Sequence, residues 1–277
     1  MNKLSDFMAK ALFTITMSIE FLQNQQLLLI FVSGIFTALA ASFLGAFIVV
    51  KRMALVGDVL SHVALPGIGL ALLINIDPIY GAAAFLLVAA FGTWFIEKKT
   101  ALPPDAIIGT FFTATLALGV LLVPNQELFE SMFGNLFAIG FYDAIVIVIT
   151  SIIIFVLTLI LSRRLTLSIA APDLAKSIGA KPDNSYLGFL LLFALSVALG
   201  IKLIGSILMG ALTILPAVSA RNLSWSLKSF LSFSVILGVL MTGLGIIIAS
   251  AFNFPPGPSV ILSGILFFII SLFFKKS

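Results

Sequence analysis

Apolar residues run along this chain in long blocks, separated by short polar clusters, rather than alternating with polar ones. Blocks of bilayer-spanning length, about 17–25 residues, fall at 27–50, 54–74, 79–96, 105–123, 142–162, 186–202, 204–220, 229–251 and 259–274. Each predicts a transmembrane helix. The expected fold is all-α, a polytopic integral membrane protein of nine spans. Lys202 and Gly205 interrupt the 186–220 region, and reading it as one span plus a re-entrant piece gives eight. An outer-membrane barrel would show alternating segments of about ten residues, and the runs here are of helix length.

Residues 1–26 precede the first block. They carry Lys3, Asp6, Lys10 and Glu20 around an apolar core and end in Gln23-Asn24-Gln25-Gln26. This pattern predicts an interfacial amphipathic segment, with an extra short span as the minority reading, and no clear small-x-small cleavage site follows. Residues 27–277 form a single transmembrane domain. Composition agrees: 61% of residues are hydrophobic and 9% charged, against about 25% charged in a soluble domain. With no cysteine, neither disulfides nor thiolate metal sites exist within the chain. The formal charge of +4 calls for no nucleic-acid partner, because lysine and arginine in a membrane protein report orientation.

Placing residue 27 outside collects Lys51, Arg52, Lys98, Lys99, Arg163, Arg164, Lys176, Lys181, Arg221, Lys228, Lys275 and Lys276 in the inner segments. Lys3, Lys10 and Lys202 stay outside. The opposite orientation reverses this ratio and breaks the positive-inside rule, so nine spans with a cytoplasmic C-terminus are expected. The longest inner loop is then 162–185, opening with Arg163-Arg164.

The candidate chemistry lies in Arg52-Met53 through Pro66-Gly67. His62 is the only histidine in the chain, and Asp58 precedes it by four residues, so on a helix the two share a face. An ionisable side chain among lipid tails costs roughly 2.5–3.5 kcal/mol on insertion scales and by default marks a functional site. Carboxylate plus imidazole suits zinc or manganese. A second reading stands beside this one. Asp58 follows Gly57 close to the membrane edge and reads equally as a helix N-cap, with His62 a hydrogen-bonded packing residue.

Other features concern packing and gating. Gly34, Ala38, Ser42 and Ala46 place small residues at every fourth position of the first span, a stripe that lets a neighbouring helix approach. Pro66 and Gly67 loosen the second span just beyond Asp58 and His62. Gly205 to Arg221 contains Gly210 and Pro216 and predicts close packing or a broken helix. Asp77, Glu127 and Glu130 are scattered loop acids that read as solvated. The last outer loop, Phe254 to Ser259, is stiffened by its prolines.

These residues resemble the permease subunit of the bacterial metal-ion ABC transporters that import zinc or manganese. The resemblance is carried by Arg52-Met53 through Gly67, Met132-Phe133-Gly134-Asn135-Leu136, Asp173-Leu174-Ala175 with Gly179, Gly205 through Arg221, and Pro256-Gly257-Pro258-Ser259 to Lys275-Lys276. It covers residues from about 30 to the C-terminus and is closer to the zinc branch. It implies the permease fold of metal-type ABC importers in the bacterial plasma membrane. It also implies a homodimer, an ATPase subunit docked under each copy, and an extracytoplasmic metal-binding protein. The family's intramembrane acid and histidine fall on Asp58 and His62. Its ATPase-coupling helix falls on Asp173, Ala175 and Gly179, with aspartate where ABC permeases often carry glutamate.

The expected cargo is Zn2+ or Mn2+. No cofactor is expected on this chain, which has no G-x-x-x-x-G-K-[ST] run to cradle ATP phosphates; ATP binds the partner, and the chain is not expected to be an enzyme. Two rivals remain at this point. A secondary metal carrier driven by an ion gradient would also use an intramembrane acid and histidine. An intramembrane protease would need a second carboxylate or a serine beside a base, and Ser61 points to a different helix face from His62.

Overall fold

The computed structural model describes residues 24–100, 102–122, 139–170, 177, 182–252 and 254–274. Among them the chain forms ten helices and no strand: α1 (Gln25–Val50), α2 (Ala54–Val63), α3 (Leu65–Leu73), α4 (Pro78–Thr100), α5 (Pro104–Leu122), α6 (Phe141–Ala170), α7 (Pro182–Ile204), α8 (Ser206–Leu223), α9 (Leu227–Phe252) and α10 (Pro256–Phe273). Each of the nine apolar runs coincides with a helix or, for 54–74, with the α2–α3 pair. Six helices (α1, α4, α6, α7, α9 and α10) are long and apolar enough to cross a membrane.

Helix boundaries follow local chemistry. The Asn24 side chain accepts the backbone N–H groups of Gln26 and Leu27 and starts α1, satisfying donors that have no partner within the helix. At the other end, Met53 N–H donates to the Ile48 carbonyl and Arg52 N–H to the Val49 carbonyl. This is a Schellman motif, with Arg52 at φ 60° in the left-handed position that glycine normally fills. Pro66 ends α2: it has no N–H to offer the carbonyl four residues back, which is that of His62. The helix is interrupted at Ala64 and resumes as α3. Gly205, at φ 85°, is the single residue between α7 and α8, a conformation open to glycine without strain.

The expected 162–185 loop is shorter than its sequence suggests. Helix α6 runs 30 residues, about 45 Å, through the exposed Arg163 and Arg164 to Ala170. A hydrocarbon core is about 30 Å thick, so the last turns stand in water, where charges no longer oppose helix formation.

Helices α1 and α7 form the centre. Phe47, Ile48 and Leu44 of α1 and Phe189, Leu190 and Phe193 of α7 are almost wholly buried. The small-residue stripe of α1 faces α9: a side chain at Gly34 would meet Ile246 and Thr242, and Ser42 lies against Gly238. Ala38, Ser42 and Ala46 have no exposed surface. Helices α6 and α10 carry the lipid face, with Val146, Ile149, Ile153, Leu262 and Leu266 outward.

Opposite ends of the bundle differ in charge. At one end, Lys98 pairs with Asp183 at 3.6 Å, Lys51 lies over the Tyr186 ring at 3.3 Å, and Asn222 of α8 donates to Ser271 of α10. The C-terminal ends of α1, α4, α8 and α10 therefore share a basic face with the N-terminal end of α7. At the other end lies Lys202, between Asp143 at 2.7 Å and Asp77 at 3.6 Å.

Candidate metal site and its surroundings

Helix α2 holds both candidate ligands. Asp58 is its fifth residue and Met53 its N-cap, so the alternative of Asp58 as a capping residue is excluded: its own backbone is already helical. His62 lies one turn later on the same helix. It is half-buried, its ring edge-on to Phe112 of α5 with centroids 5.4 Å apart.

The helix is seated by glycines. A Cβ on Gly57 would stand 2.9 Å from Thr213 Oγ1 and 3.8 Å from the Gly210 Cα of α8. Buried Ser61 folds its hydroxyl back onto the Gly57 carbonyl at 2.8 Å. Gly57 and Ser61 therefore turn toward α8, while His62, about 100° further round, turns toward α5. On α1, Gly45 packs against the Thr213 carbonyl. Thr213 thus stands between α1 and α2, its hydroxyl anchored to the Gly210 carbonyl at 2.7 Å. Just beyond α2, Gly67 of α3 and Gly81 of α4 meet backbone to backbone, each occupying the space a side chain on the other would need. Pro66 is buried, with Gly119 of α5 beside it. Pro216 lies inside α8 and faces Gly238 of α9.

Asp173, Ala175 and Gly179 lie outside the described residues, as do Met132 to Leu136. The helices that flank the 171–181 stretch are described: α6 ends at Ala170, and α7 begins with Pro182 and Asp183 on the basic face. Among the described residues no group of three or more His, Asp or Glu side chains gathers at one point. One carboxylate and one imidazole are all that α2 itself offers an ion.

Two polar clusters escaped the sequence reading. Lys202 stood with Lys3 and Lys10 as an outer exception to the charge rule; folded, it is neutralised by Asp143 and Asp77, two acids distant in sequence. A lysine at the end of an apolar run was the available signal, because a charge there requires a partner. The second cluster lies on the basic face, where Lys51 sits among Glu97, Tyr186 and the start of α2. Burial pushes the Lys51 ammonium down to about 8, against the pull of Glu97. Trp94 donates its indole N–H to the Asp183 carbonyl at 3.0 Å, tying α4 to α7 beside it.

The family model described as the ABC 3 transport family matches residues 19–275. The chain belongs to the ABC 3 transport family. It is 31% identical to the manganese import system permease protein ScaB of Streptococcus gordonii, covering 92% of this chain and 91% of that one. To the high-affinity zinc uptake system membrane protein ZnuB of Haemophilus influenzae it is 30% identical, over 88% of this chain and 95% of that one. A solved structure of PsaBC from Streptococcus pneumoniae in complex with Fab superimposes with a TM-score of 0.82 at 30% identity, covering 93% of this chain and 95% of the other. The all-α multi-pass fold of this ABC 3 transport protein is thus shared with that solved structure.

Proposed function

We propose that this chain is the permease of an ATP-driven importer of a divalent transition metal, zinc or manganese, and that Asp58 and His62 contact the ion in transit. The observation that carries the reading is the position of the chain's only imidazole one turn after a carboxylate, in the interior of a helix enclosed by apolar spans. Family membership over residues 19–275 and relatives named for manganese and for zinc support it. Two ligands from one chain make an incomplete shell. A second copy of the chain supplies two more, and a site of that kind holds an ion loosely enough to release it.

The basic face is cytoplasmic by the positive-inside rule, which puts the C-terminus inside. The 171–181 stretch, with Asp173, Ala175 and Gly179, joins α6 to α7 on that side and receives the ATPase subunit. ATP hydrolysis belongs to that separate subunit. An extracytoplasmic binding protein delivers the ion to the face holding Lys202, Asp77 and Asp143. Small-residue contacts at Gly34, Ala38, Ser42, Gly67 and Gly210, the breaks at Pro66 and Gly205, and Pro216 within the continuous α8 give the helices surfaces on which to shift.

Asp58→Ala and His62→Ala are each expected to abolish zinc or manganese uptake into cells lacking the native importer, with unchanged amounts of chain in the membrane and unchanged assembly with the ATPase. Wild-type uptake in either variant would remove the ligand role. Relatives named for the two metals match at nearly the same identity. The preference for zinc therefore stands or falls on measuring both ions in that assay. Uptake that persists without ATP, driven by an ion gradient, would restore the secondary-carrier reading.

A further inference from the structure

On the basic face three helix ends meet around a cavity of about 560 Å³. Arg52 enters it from the turn after α1, Arg221 from the last turn of α8, and Ser226 with Trp225 from the α8–α9 connection. Buried Val49 and Phe230 form its floor. Both arginines are exposed, and among the described residues neither guanidinium has a carboxylate within ion-pair distance. The sequence explains why: residues 184–277 contain no Asp or Glu at all. Two uncompensated cations from separate elements therefore share one recess.

The chain places the first of them there at a cost. Arg52 occupies the left-handed position of the α1 terminus, where glycine would fit without strain. A bulky residue held in such a conformation points from structure to function.

Depth and lining narrow the ligand. The cavity lies where spans end, at the level of lipid headgroups, and Trp225 is 70% exposed beside it, with its ring edge-on to Phe233. Tryptophan concentrates at this level of a bilayer. Paired guanidinium groups match phosphate oxygens in geometry and charge, serine adds a hydroxyl, and Val50 and Leu227 continue the lining as apolar surface. A recess of this size lies within the range of small-molecule sites, about 300–1,000 Å³.

We propose that this cavity binds a phosphate group, and that its source is the headgroup of an anionic phospholipid whose acyl chain lies along Val50 and Leu227. Inorganic phosphate offers the same charge without using the apolar wall. An acidic segment of the ATPase would use the arginines and leave the floor unfilled. The assignment is independent of Asp58 and His62 and of which metal is carried.

The chain's two tryptophans, Trp94 and Trp225, make the test direct. In the full chain carrying Trp94→Phe, Trp225 is the sole reporter. In nanodiscs, brominated phosphatidylglycerol is expected to quench it more than brominated phosphatidylcholine at equal mole fraction. Arg52→Gln and Arg221→Gln are each expected to lower that preference about fivefold. The Trp225→Phe protein, reporting through Trp94, is expected to show no preference. Equal quenching by the two lipids, or a preference that survives both glutamines, would overturn the site. Loss of the preference on adding inorganic phosphate at constant ionic strength would reassign it to soluble phosphate. Loss on assembly with the ATPase would reassign it to that partner; both results overturn the lipid headgroup.

Discussion

Gly57 tests whether α2, with the proposed ligands Asp58 and His62, is positioned by its seat on α8. A methyl group there would stand 2.9 Å from Thr213 Oγ1, about 0.6 Å inside ordinary contact. Thr213 cannot yield, because it is fully buried, stiff at χ1 and bonded to the Gly210 carbonyl. Overpacking of this kind costs about 1–3 kcal/mol, while replacing glycine by alanine within a helix returns up to about 1 kcal/mol. Gly57→Ala should therefore fold with a net loss of about 0–3 kcal/mol. Relief comes through movement of α2 by roughly half an ångström, which is the tolerance of a ligand constellation. Metal uptake should fall about tenfold or more, well beyond what the stability change accounts for. Thr213→Ala removes the obstructing oxygen, so the double variant should regain most of the loss in a double-mutant cycle read by uptake and by thermal unfolding. Wild-type uptake in Gly57→Ala, or a double variant no better than the single one, would refute the reasoning.

Gly67→Ala drives a methyl onto the Gly81 backbone and should cost about 3 kcal/mol, the upper end for overpacking. Gly109→Ala, with nothing within 4 Å of the new atom, should leave the thermal midpoint unchanged or raise it. Lys202→Met leaves Asp143 and Asp77 facing each other; with side chains 25–45% exposed, solvent screening limits the loss to about 1 kcal/mol. Added salt should shrink that loss, and Asp143→Asn in the same chain should recover part of it. Lys51 titrates near 8 when folded, below its ordinary 10.5, so the unfolded chain binds more protons between those values and stability rises with pH across that window. The rise in thermal midpoint should be absent in Lys51→Met.

Helix placement was readable because long apolar runs have one solution in a bilayer, and two breaks were readable because Pro66 and Gly205 have particular backbone requirements. The helix ends were less so. Arg163 and Arg164 suggested a loop, yet α6 continues through them, since charges end a membrane span without ending a helix. Asp58 after Gly57 suggested a cap, yet α2 begins earlier, at a Met53 that makes no side-chain cap bond. The end of α1 at Val50 matches the end of the 27–50 run, but its left-handed turn was hidden, because the residue there is an arginine rather than a glycine. Long-range polar pairing was least legible. Nothing local to Lys202 announces acids 59 residues away in Asp143 and further still in Asp77. The arginines of the basic-face cavity entered the sequence reading as orientation markers and motif ends, and not as a pair, because their convergence depends on the turn of α1 and the close of α8.

Helix α6 has one more consequence. Its first turn carries Asp143, fastened to Lys202, and its last residue opens the 171–181 stretch. The two points are about 40 Å apart along a rod that neither stretches nor folds on its own. Under the proposed orientation, a push delivered at the lower end along that axis is carried to the upper one, which would put the proposed ATPase stroke and the Asp143–Lys202 fastening on one mechanical link.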